Sequence, residues 1–425
     1  MSMKDIALPY GDSEIGIELP GGMAPAVAGD TLPPPLKDPE RALEKVLAEP
    51  SGTEGLGASL PGTGKVTVLV SDLTRGTAVG ALLLHLLSLL EEAGAGPERV
   101  RVLLATGMHR GHSRDEMEKL LGASTVREYE VLQHDAKDPA TCVETGKTSA
   151  GTPCSFNRAV VDSSLVIGLG MVGFHYFAGF GGGRKLILPG VASEGTILAN
   201  HRLSLREDPA EGLAEGCMPG RLEGNPVHGD MLEGADTLDT PIFMVNVVRG
   251  AAGEPCFISA GDMRSSHLEA VEFLMERFTI PVERRYTAVI VSTGGYPSDM
   301  NLLQSHKALR NASYAVREGG LMLAAAECRE GTGSDSLSNA FEEGRKGVVR
   351  RVEAEYTLNA QTAMSLLDLT ARFSIYLRSS LGDGETARFG MQPWKDEYTG
   401  YLLEGMSPEE VLVIPHAASL LPVGG

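Results

Sequence analysis

Four short stretches hold most of the residue types that move protons or grip anions. They are Ser71-Asp72-Leu73-Thr74-Arg75-Gly76, Thr106-Gly107-Met108-His109-Arg110-Gly111-His112, the run from Gly168 through His175 to Lys185, and Gln304-Ser305-His306-Lys307. Imidazoles titrate near neutrality and serve as base or acid, and an arginine offers a planar two-pronged grip to a carboxylate. Gln304 and Lys307 stand at i, i+3, on one face of a helix if that segment is helical. One arginine, two histidines and one lysine from four strand ends can therefore meet in one cleft.

Plainer readings compete for several of these residues. Asp72 and Thr74 suit the cap of a following helix. Ser113-Arg114-Asp115-Glu116 reads as a capping box, which makes His112 positional. His85 in a leucine-rich helix, and His134, His228, His267, His306 and His416, read as structural. A zinc hydrolase using His109 and His112 lacks the HExxH helix. The segment Gly168-Leu169-Gly170-Met171-Val172-Gly173 matches GxGxxG. That fingerprint requires a helix to start there, and Gly179, Gly181, Gly182 and Gly183 each cost a helix about 1 kcal/mol. Arg184-Lys185-Leu186 also lacks the Lys-Ser/Thr of a Walker loop. What remains is a glycine loop whose backbone N–H groups, with Arg184 and Lys185, suit an anion such as a phosphate monoester.

The elements that must carry these loops alternate. Val66–Val70 reads as a strand before a helix over 77–93, and Val100–Ala105 as a strand before a helix over 113–121. Leu165–Gly168 is a third strand. A second set holds a strand over 287–291, a helix over 299–317, a strand over 321–325 and a helix over 337–344. Residues 3–20 read as a hairpin, and 40–48 as a helix. The fold class is α/β: two α/β domains with largely parallel sheets and the active site in the interdomain cleft. Residues 1–275 form the first unit and 282–425 the second. The strand Val411–Ile414 fits either, so the C-terminus can return to the first.

Composition narrows the partners. The 425 residues carry 37 Lys+Arg against 56 Asp+Glu, a net charge of −19, which repels nucleic acid and anionic lipid surfaces. The five cysteines are scattered with no CxxC pair, which points to a reducing compartment. No run is long and apolar enough to span a bilayer, so a cytoplasmic protein is expected.

Taken together, Asp72-Leu73-Thr74-Arg75, Thr106-Gly107-Met108-His109, His175 through Lys185, His201, and Gln304-Ser305-His306-Lys307 resemble the lactate racemase family in order and spacing. Gly76, Gly181 and Leu303 depart from the family pattern, the last standing where an aromatic residue is expected. The resemblance implies a 2-hydroxy acid racemase or epimerase using a nickel-pincer nucleotide (pyridinium-3,5-bisthiocarboxylic acid mononucleotide nickel). By that resemblance Lys185 holds the cofactor, in the best-known member through a thioamide, with Asp72, Thr74, Gly181, Gly182 and Gly183 around it. His201, by residue type alone only a helical histidine, becomes the nickel ligand. His109 and His175 become the acid/base pair, and Arg75, Gln304 and Lys307 grip the substrate carboxylate.

The implied chemistry moves hydride between C2 and the cofactor through a 2-keto acid, with one histidine for each enantiomer's hydroxyl. The implied partners are a small 2-hydroxycarboxylate and the host's cofactor maturation proteins. Two rivals stay open. A nicotinamide-dependent dehydrogenase would use a similar clamp and histidine. A carrier of the nickel nucleotide would keep Lys185 and His201 with no need of Arg75, His109, His175 and Lys307.

Overall fold

The computed structural model describes residues 5–29, 32–72, 79–250 and 253–424. Two six-stranded sheets organise them. The first runs in the order Pro255–Gly261, Ile242–Arg249, Leu165–Val172, Val66–Ser71, Val100–Ala105, Glu130–Gln133. All its pairings are parallel except the edge pair Ile242–Arg249 with Pro255–Gly261. Val66–Ser71 and Leu165–Val172 are buried along their whole length, as strands covered on both faces must be. The helix Val79–Glu92 covers one face with Leu82, Leu83, Leu86, Leu87 and Leu90, a 3.6-residue stripe. His85, just off that stripe, pairs with Glu44 at 2.9 Å.

No helix follows Gly173. Phe174–His175 and Gly179–Phe180 form a small antiparallel ribbon instead, and then Gly183–Leu186 makes one 3-10 turn. The GxGxxG glycines serve packing. A Cβ at Gly168 would sit 2.3 Å from Met244 Sδ, and one at Gly170 would sit 2.8 Å from Leu186 Cδ1. Both positions admit neighbouring side chains against the strand, where a dinucleotide motif would admit a phosphate.

The second sheet is parallel throughout, in the order Gln392–Pro393, Ser374–Arg378, Val316–Ala325, Tyr286–Ser292, Val411–Ile414, Ala26–Val27. Val411–Ile414 therefore lies here. The expected helix over 299–317 is shorter, Leu302–Ala312, because the Asn301 side chain caps it by accepting from Gln304 N–H, and Val316 already belongs to the next strand. The helix expected over 337–344 runs from Asp335 to Ala354, with Gly344 breaking the helical backbone.

The N-terminal boundary differs from the sequence reading. The hairpin Asp5–Tyr10/Ser13–Glu18 forms as expected, but Leu8, Ile17 and Leu19 pack against Ala288, Ile290 and Leu323 of the second sheet. Ala26–Val27 then joins that sheet's edge. The hairpin and Ala26–Val27 thus belong with the second unit, and the helix Pro39–Ala48 with the first. An amphipathic hairpin shows which face it buries, and its own sequence does not name the sheet that receives it. The C-terminus makes the converse contact: Leu421–Val423 pairs with Thr279–Pro281, and Leu421 packs with Phe174 and Phe278.

Candidate active site

Strand Val66–Ser71 lies between Val100–Ala105, the next strand in the chain, and Leu165–Val172, a later one, so the strand order reverses there and the loops leaving the carboxyl ends diverge to open a crevice. These are the loops that carry Asp72, His109 and His175. Across the crevice lie the first turns of Leu302–Ala312 and of Ala360–Arg372. The resulting cleft of about 450 Å³ is lined by Asp72, His109, His175, Gly182, Lys185, His201, Leu303, Gln304 and Lys307. Thr74 and Arg75 lie outside the described residues. The cleft thus gathers residues separated by more than 200 positions in the chain.

His109 sits on a tight turn, its N–H donating to the Thr106 carbonyl at 2.9 Å. Its Nδ1 bonds the carboxylate of Asp72, which is buried while the imidazole is 42% exposed to the cleft. The carboxylate accepts the Nδ1 proton, so Nε2 keeps its lone pair, the arrangement of an oriented general base. Asp72, expected to hold a cofactor, lines the cleft and bonds His109.

His175 is paired directly to Gly179 in the ribbon. Its Nδ1 accepts from the Ala178 N–H at 3.3 Å, and its Nε2 lies 3.4 Å from Lys185 Nζ. The Lys185 head group also stands 5.1 Å from the centre of the Phe177 ring. His201, in the last turn of Glu194–Arg202, meets the same ring edge-on at 5.0 Å. A hydrogen-bond chain fixes its tautomer. Asp230 accepts from Thr148 at 2.5 Å, Thr152 at 2.9 Å and Asn200 Nδ2 at 2.9 Å. Asn200 Oδ1 therefore faces His201 Nδ1, at 3.2 Å, and Nδ1 carries the proton. Burial first, and then the positive charge of Lys185, pushes the His201 pKa down to about 3, so the ring is neutral. A neutral imidazole with its Nε2 lone pair available is the form that ligates a metal.

The glycine loop corrects one expectation. Three of its N–H groups are taken by protein acceptors: Gly181 on the Gly173 carbonyl at 2.8 Å, Gly183 on Asn246 Oδ1 at 3.1 Å, and Lys185 on the Gly182 carbonyl at 3.0 Å. Arg184 is fully buried, donating to the Ala178 carbonyl at 2.7 Å, with Nη1 3.1 Å from His267 Nε2. It braces the loop from behind and takes no part in the cleft. Burial lowers the Arg184 pKa to about 9, and burial with the Arg184 charge lowers that of His267 to about 3. His267 Nε2 is 2.9 Å from the Gly181 carbonyl oxygen, so this neutral histidine pins the loop. Of the three consecutive glycines, Gly182 lines the cleft, while Gly181 and Gly183 lie behind it.

On the opposite wall, Lys307 Nζ donates to Gln304 Oε1 at 2.5 Å, so the i, i+3 pair forms as the spacing predicts. The sequence reading did not include Ser334, Asn359, Gln361 and Thr362, which also line the cleft. Ser334 caps the helix Asp335–Ala354, and its position one loop after Val316–Ala325 is the signal that places it at the carboxyl end of the sheet. Among the described residues no three His, Cys, Asp or Glu side chains converge as a metal site. The arrangement suits proton transfer at two positions of a bound carboxylic acid, beside an amine and an imidazole able to hold a cofactor.

The lactate racemase N-terminal domain family matches residues 10–213, and the lactate racemase C-terminal domain family matches residues 282–366. The chain is 32% identical over 347 residues to a lactate racemase of Thermoanaerobacterium thermosaccharolyticum, covering 81% of this chain and 79% of that protein. It is 32% identical over 298 residues to a lactate racemase of Lactiplantibacillus plantarum, covering 70% and 68%. The solved lactate racemase apoprotein from T. thermosaccharolyticum superposes with a TM-score of 0.86 at 27% identity, over 99% of this chain and 100% of that one. A Thermotoga maritima protein superposes with a TM-score of 0.71 at 18% identity, over 90% and 98%, a likeness of fold.

Proposed function

This chain belongs to the lactate racemase family, and from that premise we propose that it inverts the C2 centre of lactate or a related 2-hydroxycarboxylate. The observation that carries this reading is the cleft itself, which brings His109 and His175 from two strand ends to face Gln304 and Lys307. Lys307, with Gln304 and Arg75, grips the carboxylate and leaves the hydroxyl-bearing carbon between the imidazoles. His109, oriented by Asp72, takes the hydroxyl proton of one enantiomer at Nε2, and His175 takes that of the other. When the 2-keto acid is then reduced on its opposite face, the other histidine gives the proton that completes the new hydroxyl, so the two exchange acid and base roles with the direction of inversion.

Lys185 and His201 fit a nickel-pincer nucleotide: a buried amine stands beside a neutral imidazole whose Nδ1 is already committed. When bound, the nucleotide would supply the hydride acceptor and donor that protein side chains lack. The two walls would keep water from the ketone. Cofactor loading would come from maturation proteins of the host. Five free thiols suit a reducing, cytoplasmic setting. Among the described residues no helix is long and apolar enough to cross a membrane.

The test is a chiral assay: cofactor-loaded protein incubated without NAD with a panel of single-enantiomer 2-hydroxy acids. Appearance of the opposite enantiomer of one acid is expected. Loaded protein that inverts none of them, or inverts only with added NAD, would overturn the proposal. Lys185→Ala is expected to purify without nucleotide or nickel, read by mass spectrometry and metal analysis, and full retention would remove Lys185 from its role.

A further inference from the structure

His175 and the Gln304/Lys307 part of the carboxylate grip stand on different units, so catalysis at C2 requires something to hold those units in register. Tyr176, the residue after His175, is buried at the place where they meet. Its hydroxyl is 2.6 Å from Thr362 Oγ1, at the start of the helix Ala360–Arg372. Its ring meets His306 edge-on at 4.6 Å and lies nearly parallel to His175, at 5.4 Å and 19°. His306 is flanked by Gln304 and Lys307 on the grip helix, and its Nε2 is 2.9 Å from Ser365 Oγ, one turn along from Thr362. Thr362, Ser365 and His306 are themselves buried. A further side-chain link between the units, Arg345 to the Ala210 carbonyl at 2.9 Å, lies on the exposed rim.

We propose that Tyr176 is a positioning residue. Its hydroxyl, held by Thr362, and its ring, seated on His306, lock the grip helix at a fixed distance from His175. Because one side chain stacks on the base itself and meets His306 beside the carboxylate grip, a shift between the units changes the angle at which the hydroxyl meets the imidazole. The carboxylate can remain bound after such a shift. Loss of the hydroxyl therefore lowers kcat more than it raises KM.

This inference rests on the racemase reading for its kinetic arm alone. Tyr176→Phe keeps the ring and Thr362→Val keeps the shape, so both variants are expected to fold. Each leaves a buried hydroxyl contact unmade, and each is expected to reduce kcat about tenfold with KM within about threefold. The double variant is expected to be no slower than the slower single, because both remove one bond. In the apoprotein, small-angle X-ray scattering is expected to show the same increase in radius of gyration for each single variant. Multiplying losses in the double variant, or kcat within twofold of wild type in both singles, would overturn the proposal. If wild-type loaded protein inverts no acid, the racemase reading fails and scattering alone decides: equal expansion supports the clasp, and unchanged dimensions overturn it.

Discussion

Gly179→Ala offers the sharpest check on how the acid/base loop is built. Gly179 has φ +78, and a Cβ there would lie 2.1 Å from the Arg221 carbonyl oxygen and 2.8 Å from its carbon. Holding an L-residue in the left-handed region costs about 1–2 kcal/mol. Forcing a methyl against backbone adds about 1–3 kcal/mol, since no flexible side chain can move aside. The expected loss of about 2–5 kcal/mol is a large part of the ~5–15 kcal/mol that holds a domain folded.

Gly173→Ala is the matched control, six residues earlier in the same loop. Gly173 has no positive φ, and nothing lies within 4 Å of the position a Cβ would take there, so its replacement is expected to be neutral or stabilising by up to about 1 kcal/mol. Urea unfolding followed by far-ultraviolet circular dichroism measures both changes. Activity adds a second reading: Gly179 is the register partner of His175, so the backbone shift that relieves the clash displaces that imidazole. Gly179→Ala is expected to lose inversion at C2, while Gly173→Ala retains it. Equal unfolding midpoints for the two variants would refute the claim that close approach, and not general looseness, explains the glycines of this loop.

Three further outcomes are expected. Asp72→Asn leaves His109 without the charge that orients it and is expected to slow C2 inversion about 10²–10³-fold, with nickel and nucleotide content unchanged; loss of the cofactor instead would restore Asp72 to a cofactor-holding role. His267 and His306 are each held neutral with pKa values near 3, burial being the larger cause, against about 6.5 in the unfolded chain. The unfolded chain then binds more protons between those values, so stability falls as pH drops from about 6.5 toward 3, by about 2 kcal/mol per histidine at pH 5. Unfolding midpoints in urea at pH 7 and pH 5 check this, and equal midpoints would count against it. Leu303→Tyr narrows the wall beside Gln304 and is expected to lower kcat/KM for 2-hydroxy acids with bulky substituents at least tenfold relative to lactate, whereas parallel changes for both would separate Leu303 from substrate choice.

The sequence by itself determined what is governed by near neighbours. The leucine stripe of Val79–Glu92, the capping box at Ser113 and the i, i+3 pair Gln304/Lys307 follow from helix geometry. The absence of a helix after Gly173 follows from four glycines in ten residues, and the placing of His109 and His175 after buried strands follows from alternating apolar runs and loops. Only the tertiary structure decided matters of long range. It gave the N-terminal hairpin to the second sheet, turned Asp72 toward His109, buried Arg184 behind the loop where the sequence suggested an anion grip, and set Tyr176 against Thr362. Local periodicity states which face of an element is apolar and which residues lie at its end. Which surface that face meets, and whether a charge points into a cleft or away from it, depends on partners tens to hundreds of residues distant, and is fixed when the sheets close on one another.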